Sequence, residues 1–134
     1  MTFDPARTAA DVGYANPPIY DHLGPAIEIL TRPDTDTSAP GLVRGHIAPG
    51  GFVPMHSHQD PETFVILRGA IEGLTWQASD QPLWVPVAEG GVFHVPPHAR
   101  HALRNREAAP ATVLIVSTLA MVRFSSRPGP RSRH

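Results

Sequence analysis

The stretch from Gly50 to Gly69, GGFVPMHSHQDPETFVILRG, decides how the rest of this chain is interpreted. His56 and His58 are two positions apart, so their side chains share one face of an extended strand. A short turn at 59–61 follows, and Glu62 opens an apolar run that returns alongside the histidines. This hairpin-like return brings the carboxylate beside the two imidazoles. Two imidazoles and one carboxylate suit a divalent first-row metal ion that keeps open coordination positions.

A second stretch, GGVFHVPPHARHALRN from Gly90 to Asn105, begins after a further 20 residues. Together the two stretches resemble the paired motifs of the cupin superfamily, G-x5-H-x-H-x3-E-x6-G and G-x5-P-x-G-x2-H-x3-N. The first motif matches at every position. In the second, Pro96, His101 and Asn105 match, whereas His98 stands where the family has glycine.

The resemblance covers roughly residues 20–120 and implies an all-β fold, a small antiparallel β-barrel or double-sheet jelly roll. It also implies one divalent transition metal ion per subunit, held by His56, His58, Glu62 and His101. Three nitrogen donors and one oxygen donor leave about two positions of an octahedron free. Such ligands accept iron, manganese, nickel, copper, cobalt or zinc, and we favour iron.

Composition limits the alternatives. The chain has 134 residues, which suits a single domain, and it contains no cysteine, so thiolate ligands and disulfides are excluded. All 11 basic residues are arginine, which excludes Schiff-base chemistry on a lysine. A formal net charge of −1 gives no general attraction to nucleic acid or anionic membranes. No apolar run approaches a membrane span, so we expect a cytoplasmic protein.

The order of apolar runs predicts the organisation of the chain. We expect an N-terminal arm at 1–19, a β-domain at 20–124 and a flexible basic tail at 125–134. The arm either lies on the surface, crosses to a partner subunit or is a disordered terminus. The first strands are expected at Ala26–Leu30 and Gly41–Ala48, and the β-branched run Ala111–Phe124 favours a strand over a helix. Because small cupins commonly exchange N-terminal strands, the resemblance implies a homodimer.

Several further side chains are candidates for the substrate pocket. Phe64 shares the face of Glu62 on a regular strand, and Ile66 lies deeper along that face. Residues whose orientation the sequence leaves open complete the candidate set: Met55, Trp76, His94 and His98. His98 has two interpretations, an acid–base group at the pocket mouth and a surface turn residue, since histidine tolerates positive φ better than most residues.

The resemblance implies an oxygen-dependent dioxygenase that acts on a small organic substrate chelating the metal. Under this interpretation Glu62 is a metal ligand and also the catalytic proton acceptor when it detaches from the metal during turnover. A non-oxidative isomerase or lyase would use the same four ligands, with the metal as Lewis acid. The alternative from a different class is a non-catalytic cupin that binds a metal or small ligand as a sensor.

Overall fold

The computed structural model of this protein describes residues 2–21 and 24–125. Within that part of the chain, nearly all regular structure is β-strand. The strands are β1 Ile19–Asp21, β2 Ala26–Ile29, β3 Gly41–Ile47, β4 Phe52–His56, β5 Glu62–Arg68, β6 Ala70–Trp76, β7 Pro82–Ala88, β8 Val92–Val95, β9 His101–Arg104 and β10 Ala111–Ser117, followed by one short helix, α1 Leu119–Ser125.

The strands form two antiparallel sheets, as expected for a double-sheet jelly roll. One sheet has six strands in the order β1-β2-β3-β10-β5-β8, and the other has four in the order β4-β9-β6-β7. Successive strands of the metal motif therefore lie in different sheets, β4 in the smaller and β5 in the larger. The predicted all-β jelly roll is confirmed, although the two sheets are not joined by hydrogen bonds into a closed barrel.

The core lies between the sheets because alternate residues of the strands point inward. In β3 and β5 every second residue is buried, the pattern of a strand with one face against the core. The main cluster includes Phe64, Ile66 and Leu103, and a second cluster joins Ile27 and Ile29 to Val122 of α1. Both clusters surround the space in which the predicted metal ligands lie.

The structure corrects the prediction of one continuous strand over residues 111–124. β10 ends at Ser117, and the chain continues as α1. The Thr118 hydroxyl accepts a hydrogen bond from the backbone N–H of Met121 at 3.0 Å, which caps the first turn of the helix. Leu119, Ala120 and Met121 are also better helix formers than the β-branched residues before them.

The N-terminal segment is partly attached to the domain. Gly13 forms an isolated antiparallel bridge with Thr31, and the Arg32 N–H donates to the Val12 carbonyl at 2.8 Å. The predicted strand at Ala26–Leu30 is present as β2, and β1 adds a short strand beside it. The predicted tail at 125–134 lies outside the described residues after its first position.

In the described part of the chain, no helix has the length and apolar character needed to cross a membrane.

Candidate metal centre

The two sheets together position the four predicted ligands. His56 ends β4 and pairs with His101 at the start of β9, so these two residues are neighbours across antiparallel strands. His58 lies in the turn that follows β4, and Glu62 begins β5 in the other sheet. One donor atom from each of the four residues lies within 4.8 Å of the other three. The structure therefore brings the predicted residues together in a group able to bind a metal ion.

Each of the three histidines has its Nδ1 atom held by a nearby main-chain carbonyl. The distances are 2.8 Å from His56 to Pro54, 2.7 Å from His58 to Asp60 and 2.9 Å from His101 to Ala99. A carbonyl oxygen accepts but cannot donate, so each Nδ1 carries the proton. The three Nε2 atoms are then left as lone-pair donors, the tautomer that metal binding through Nε2 requires.

The contacts of Glu62 show that these residues fit a metal ion. Its Oε1 atom lies 2.8 Å from the Nε2 of His58 and 3.4 Å from that of His101. The Nε2 of His101 is buried and has no hydrogen-bond partner. In neutral rings protonated at Nδ1, this arrangement gathers nitrogen lone pairs around a carboxylate, so these acceptors face one another unless a proton or a cation lies between them. A bound cation removes this mismatch, because it satisfies all four acceptors at once.

Burial and neighbouring charge shift the pKa values of two ligands in opposite directions. For His56, burial is the main effect and lowers the pKa below its usual value of 6.5. Burial also acts strongly on His101, but the Glu62 carboxylate and the Ala99 carbonyl favour the protonated ring. Their combined effect outweighs burial and raises the pKa of His101. His101 is therefore the first of these two to take up a proton as pH falls.

A cavity of about 590 Å³ opens beside this group and lies between the two sheets. Among the described residues that line it, none is arginine or lysine, and the polar side chains are the four ligands with Ser57 and Asp60. The remaining lining is apolar and comes mainly from β2, β3, β4, β5, β9, β10 and α1, including Ile27, Ile47, Val53, Phe64, Leu103, Val113, Ile115 and Met121. The site is an apolar pocket with one polar end.

The structure shows which of the predicted pocket residues line the cavity. Phe64 lines the cavity, as its shared face with Glu62 suggested. Ile66 points to the same side of β5 but packs in the main core cluster and does not line the cavity. Met55 is 54% exposed, because the register of β4 shifts between Val53 and His56, so that these two residues both face inward and Met55 does not.

The other three candidates also lie away from the cavity. Trp76 ends β6 with the Arg100 guanidinium 4.1 Å above its ring. His94 is exposed on β8 and forms a hydrogen bond with the Thr63 hydroxyl at 2.8 Å. His98 is an exposed turn residue with φ of 66°, so it adopts the left-handed conformation that a glycine at this motif position would adopt easily. Its N–H donates to the His58 carbonyl at 2.7 Å.

Sequence reasoning missed much of the cavity lining. Val113 and Ile115 on β10 follow the same alternation that identified Phe64, so this signal was present in the sequence. Ala120 and Met121 line the cavity from α1. No sequence signal pointed to them, because this part of the chain was expected to continue as a strand.

Comparison with known proteins agrees with this fold. Residues 43–117 match the family described as the cupin domain. No curated protein matches the sequence. Among solved structures, the Drosophila melanogaster CENP-C cupin domain is similar with a TM-score of 0.67 and 10% identity, covering 84% of each chain. A second structure of that protein has it bound to CAL1, with a TM-score of 0.67, 13% identity and coverage of 80% and 85%.

Oxalate decarboxylases are similar over part of their length. The Lactobacillus farciminis enzyme in its formate complex has a TM-score of 0.69 and 14% identity, covering 84% of this chain and 34% of that chain. This chain thus spans about a third of that protein. For the Bacillus subtilis enzyme, with a TM-score of 0.66 and 16% identity over 84% and 30% of the two chains, Mn(II) centres are described. At these identities the likeness concerns the fold.

Proposed function

This chain belongs to the cupin family, and we propose that it is a metal-dependent dioxygenase acting on a small apolar substrate that chelates the metal. The observation that carries this proposal is the location of the four-residue group at the polar end of an apolar cavity. A ligand in the cavity reaches the metal position with one end and apolar side chains with the rest.

We assign His56, His58, Glu62 and His101 as the residues that hold the metal. Iron is the metal we favour, and manganese is the second candidate because Mn(II) centres are described for a structurally similar decarboxylase. Such an ion would offer about two open positions, enough for a bidentate oxygen ligand or for a one-point ligand together with dioxygen. The three carbonyl-bound Nδ1 atoms keep the imidazoles oriented towards it.

The lining of the cavity indicates the substrate class. A dianion such as oxalate would enter a pocket in which none of the described lining residues is arginine or lysine. One carboxylate of such a dianion could bind the metal, but removing the other from water without a cationic partner would be costly. A β-diketone or its enol has two oxygens at one end and an uncharged remainder, which matches the polar and apolar ends of the pocket. We therefore propose an enolisable diketone or a related enol as substrate.

Glu62 is the residue we assign to proton transfer. Its side chain is 8% exposed, lines the cavity and lies in contact with two histidines. A carboxylate in this position can accept the proton that a diketone loses when it binds as the enolate. Held near imidazoles and away from water, the carboxylate is placed within reach of the chelating end of the substrate.

The second candidate function is a binding module without catalysis. The observation that favours it is that structurally similar CENP-C domains include one bound to a protein, CAL1. An isomerase or lyase using the same metal remains the alternative within the enzyme class. All three functions share the metal site and differ in whether oxygen and substrate are consumed.

The test is to load the protein anaerobically with Fe²⁺ or Mn²⁺ and to measure oxygen uptake with benzoylacetone and with oxalate. We expect about one metal per chain and oxygen uptake with the diketone alone. His101→Ala should abolish metal retention, whereas Glu62→Gln should lower turnover more than metal content. His46→Ala, which removes a surface histidine paired with Glu28, is the matched control and should leave both unchanged.

Full metal occupancy without oxygen uptake, but with conversion of the diketone, would replace the dioxygenase by an isomerase or lyase. If the protein binds metal and diketone but does not convert the diketone, it is a binding module without catalysis. Failure to retain metal after reconstitution would overturn the metalloenzyme proposal altogether.

A further inference from the structure

Asp60 contacts both the metal site and the helix that walls the cavity. It lies in the turn between His58 and Glu62 and lines the cavity itself. Its main-chain carbonyl accepts the Nδ1–H of His58 at 2.7 Å, which fixes the orientation of that ring. Its carboxylate accepts a hydrogen bond from the hydroxyl of Thr118 at 2.7 Å. One residue thus joins a metal-ligating histidine to a distant part of the chain.

Thr118 also makes two hydrogen bonds that join separate parts of the chain. Its hydroxyl donates to Asp60 and accepts from the N–H of Met121 at 3.0 Å, so it caps α1. Met121 is 8% exposed and lines the same cavity as the four predicted ligands. The contact between Asp60 and Thr118 therefore links the turn that carries His58 to the helix that supplies Met121.

The helix end of this link is firmly held. Val122 is fully buried in the cluster that contains Ile27 and Val43. Gly41 on β3 lies against the Thr118 carbonyl and the Val122 side chain with no room for a larger residue. The turn at Asp60, by contrast, has few apolar anchors, because residues 57–61 are exposed or half-buried. The helix is therefore the fixed partner, and the turn is the part that the link positions.

We propose that Asp60 and Thr118 are positioning residues for the metal site, holding the His58 turn in register with α1. The proposal rests on the metal-binding part of the proposed function. Without this link the turn keeps its bonds from His98 to the His58 carbonyl and from Ser117 to the Pro61 carbonyl, but it loses its contact with the start of α1. The Nε2 of His58 is then held less closely in place between the other ligands. The same hydrogen bond therefore couples the metal site to the part of the cavity wall that carries Met121.

The test is a double-mutant cycle read by Co²⁺ affinity and the visible spectrum of bound Co²⁺. Thr118→Val removes the hydroxyl at nearly constant shape, and Asp60→Ala removes the acceptor while keeping the main-chain carbonyl. We expect each to weaken Co²⁺ binding about threefold to tenfold, at or below the range for groups that contact a ligand directly. We expect the double variant to be no weaker than either single variant, and the Co²⁺ bands to change in all three.

Three variants serve as controls. Thr118→Ser keeps the hydroxyl and should restore wild-type affinity. Asp60→Asn keeps an oxygen acceptor and removes the charge. The difference in Co²⁺ affinity between Asp60→Asn and Asp60→Ala therefore separates the effect of the hydrogen bond from that of the charge. Ser117→Ala removes a hydrogen bond to the Pro61 carbonyl at 2.7 Å, which ties the same turn to β10 but contacts neither Asp60 nor α1, and it should weaken Co²⁺ binding less than Thr118→Val does.

The outcomes separate this inference from the function on which it rests. If the wild type binds Co²⁺ and Thr118→Val binds it equally well while losing stability, the residue is structural and the inference fails alone. Independent, additive losses at the two positions would also overturn it. Absence of Co²⁺ binding by the wild type would overturn the metal site and this inference together.

Discussion

At the scale of single residues, the main-chain contacts of the three histidines determine what the site can do. A histidine in a sequence can use either ring nitrogen, and nothing in the motif says which one is free. Here Pro54, Asp60 and Ala99 each supply a carbonyl to an Nδ1 atom. Since this fixes the tautomer of all three rings, their lone pairs converge with the Glu62 carboxylate. The metal-binding capacity therefore depends on backbone atoms as well as on ligand identity.

Metal affinity should fall as the solution is acidified. Protons compete with the metal for each Nε2 lone pair, and the pKa of His101 is raised while that of His56 is lowered. As pH falls through the raised pKa of His101, which lies above 6.5, we expect a loss of about tenfold per pH unit for each proton displaced. The slope should steepen at lower pH, where His56 also takes up a proton. Calorimetric titration with Mn²⁺ between about pH 8 and about pH 5 measures this.

The control for this pH dependence is His46→Ala. His46 pairs with Glu28 on the outer surface at 2.7 Å and lies outside the metal cavity, so its removal should leave the profile unchanged. An affinity that stays constant from about pH 8 to about pH 5 would show that these histidines do not hold the metal.

At the scale of elements, the boundary between β10 and α1 shows how packing overrides a residue preference. The run from Ala111 to Phe124 is rich in β-branched residues, which favours a strand throughout. The strand nevertheless ends at Ser117, where pairing with β3 ends opposite Gly41. The absence of a side chain at Gly41 lets the chain turn closely over the start of β3, and the helix then buries Val122.

Gly41→Ala should destabilise the fold by displacing α1. An added Cβ would meet the Thr118 carbonyl and approach the Cγ2 of Val122 to 2.6 Å, and the backbone part of this contact cannot rotate away. We expect a loss of about 2–3 kcal/mol in the free energy of unfolding, the range for overpacking a buried site. Urea denaturation followed by tryptophan fluorescence measures it.

Gly45→Ala is the matched substitution on the same strand. Its Cβ would meet the Cγ2 methyl of Val113 at 3.0 Å and the Cδ1 methyl of Ile115 at 3.6 Å, with no backbone atom within contact distance. We expect a clearly smaller loss than at Gly41. Equal losses at the two positions would mean that α1 adjusts freely and is not fixed by close contact with β3.

At the scale of the whole molecule, the two sheets leave open edges and exposed apolar side chains. β1 and β8 are the edges of the larger sheet, and β4 and β7 are those of the smaller one. Several large apolar residues are exposed, including Phe52, Leu67 and Val92. Unpaired strand edges and exposed apolar groups favour association with another chain.

We expect a homodimer in which the N-terminal segments are exchanged. Gly13 pairs with Thr31, and the Arg32 guanidinium donates to the Gly13 carbonyl at 2.8 Å. The same bonds can form between two copies of the chain, because exchange of identical segments preserves every contact. Light scattering should give twice the chain mass of 14.5 kDa. Deletion of residues 1–16 should yield a monomer.

The control for this deletion is removal of residues 126–134, which should leave the dimer intact. A full-length chain that is monomeric by light scattering would contradict the prediction. A dimer that survives loss of residues 1–16 would place the interface elsewhere, for example on the exposed face that carries Leu67 and Val92.

The sequence by itself determined the fold family and which four residues form a group able to bind a metal ion. Both depend on local spacing: His56 and His58 share a strand face, and Glu62 follows after one short turn. The second motif supplies His101 in the same way, and the predicted turn at His98 is present with a positive φ. Features that repeat with the period of a strand, such as the inward face of Phe64, follow from the chain alone.

Only the tertiary structure decided what surrounds that group. Met121 reaches the cavity from a helix that closes over β3, and Asp60 meets Thr118 across 58 positions of sequence. Five of the predicted pocket residues do not line the cavity: Met55, Ile66, Trp76, His94 and His98. Such contacts depend on which sheets face each other and how closely they approach. Local residue preferences do not predict how the sheets pack, because the packing energy comes from residues that are far apart in the chain.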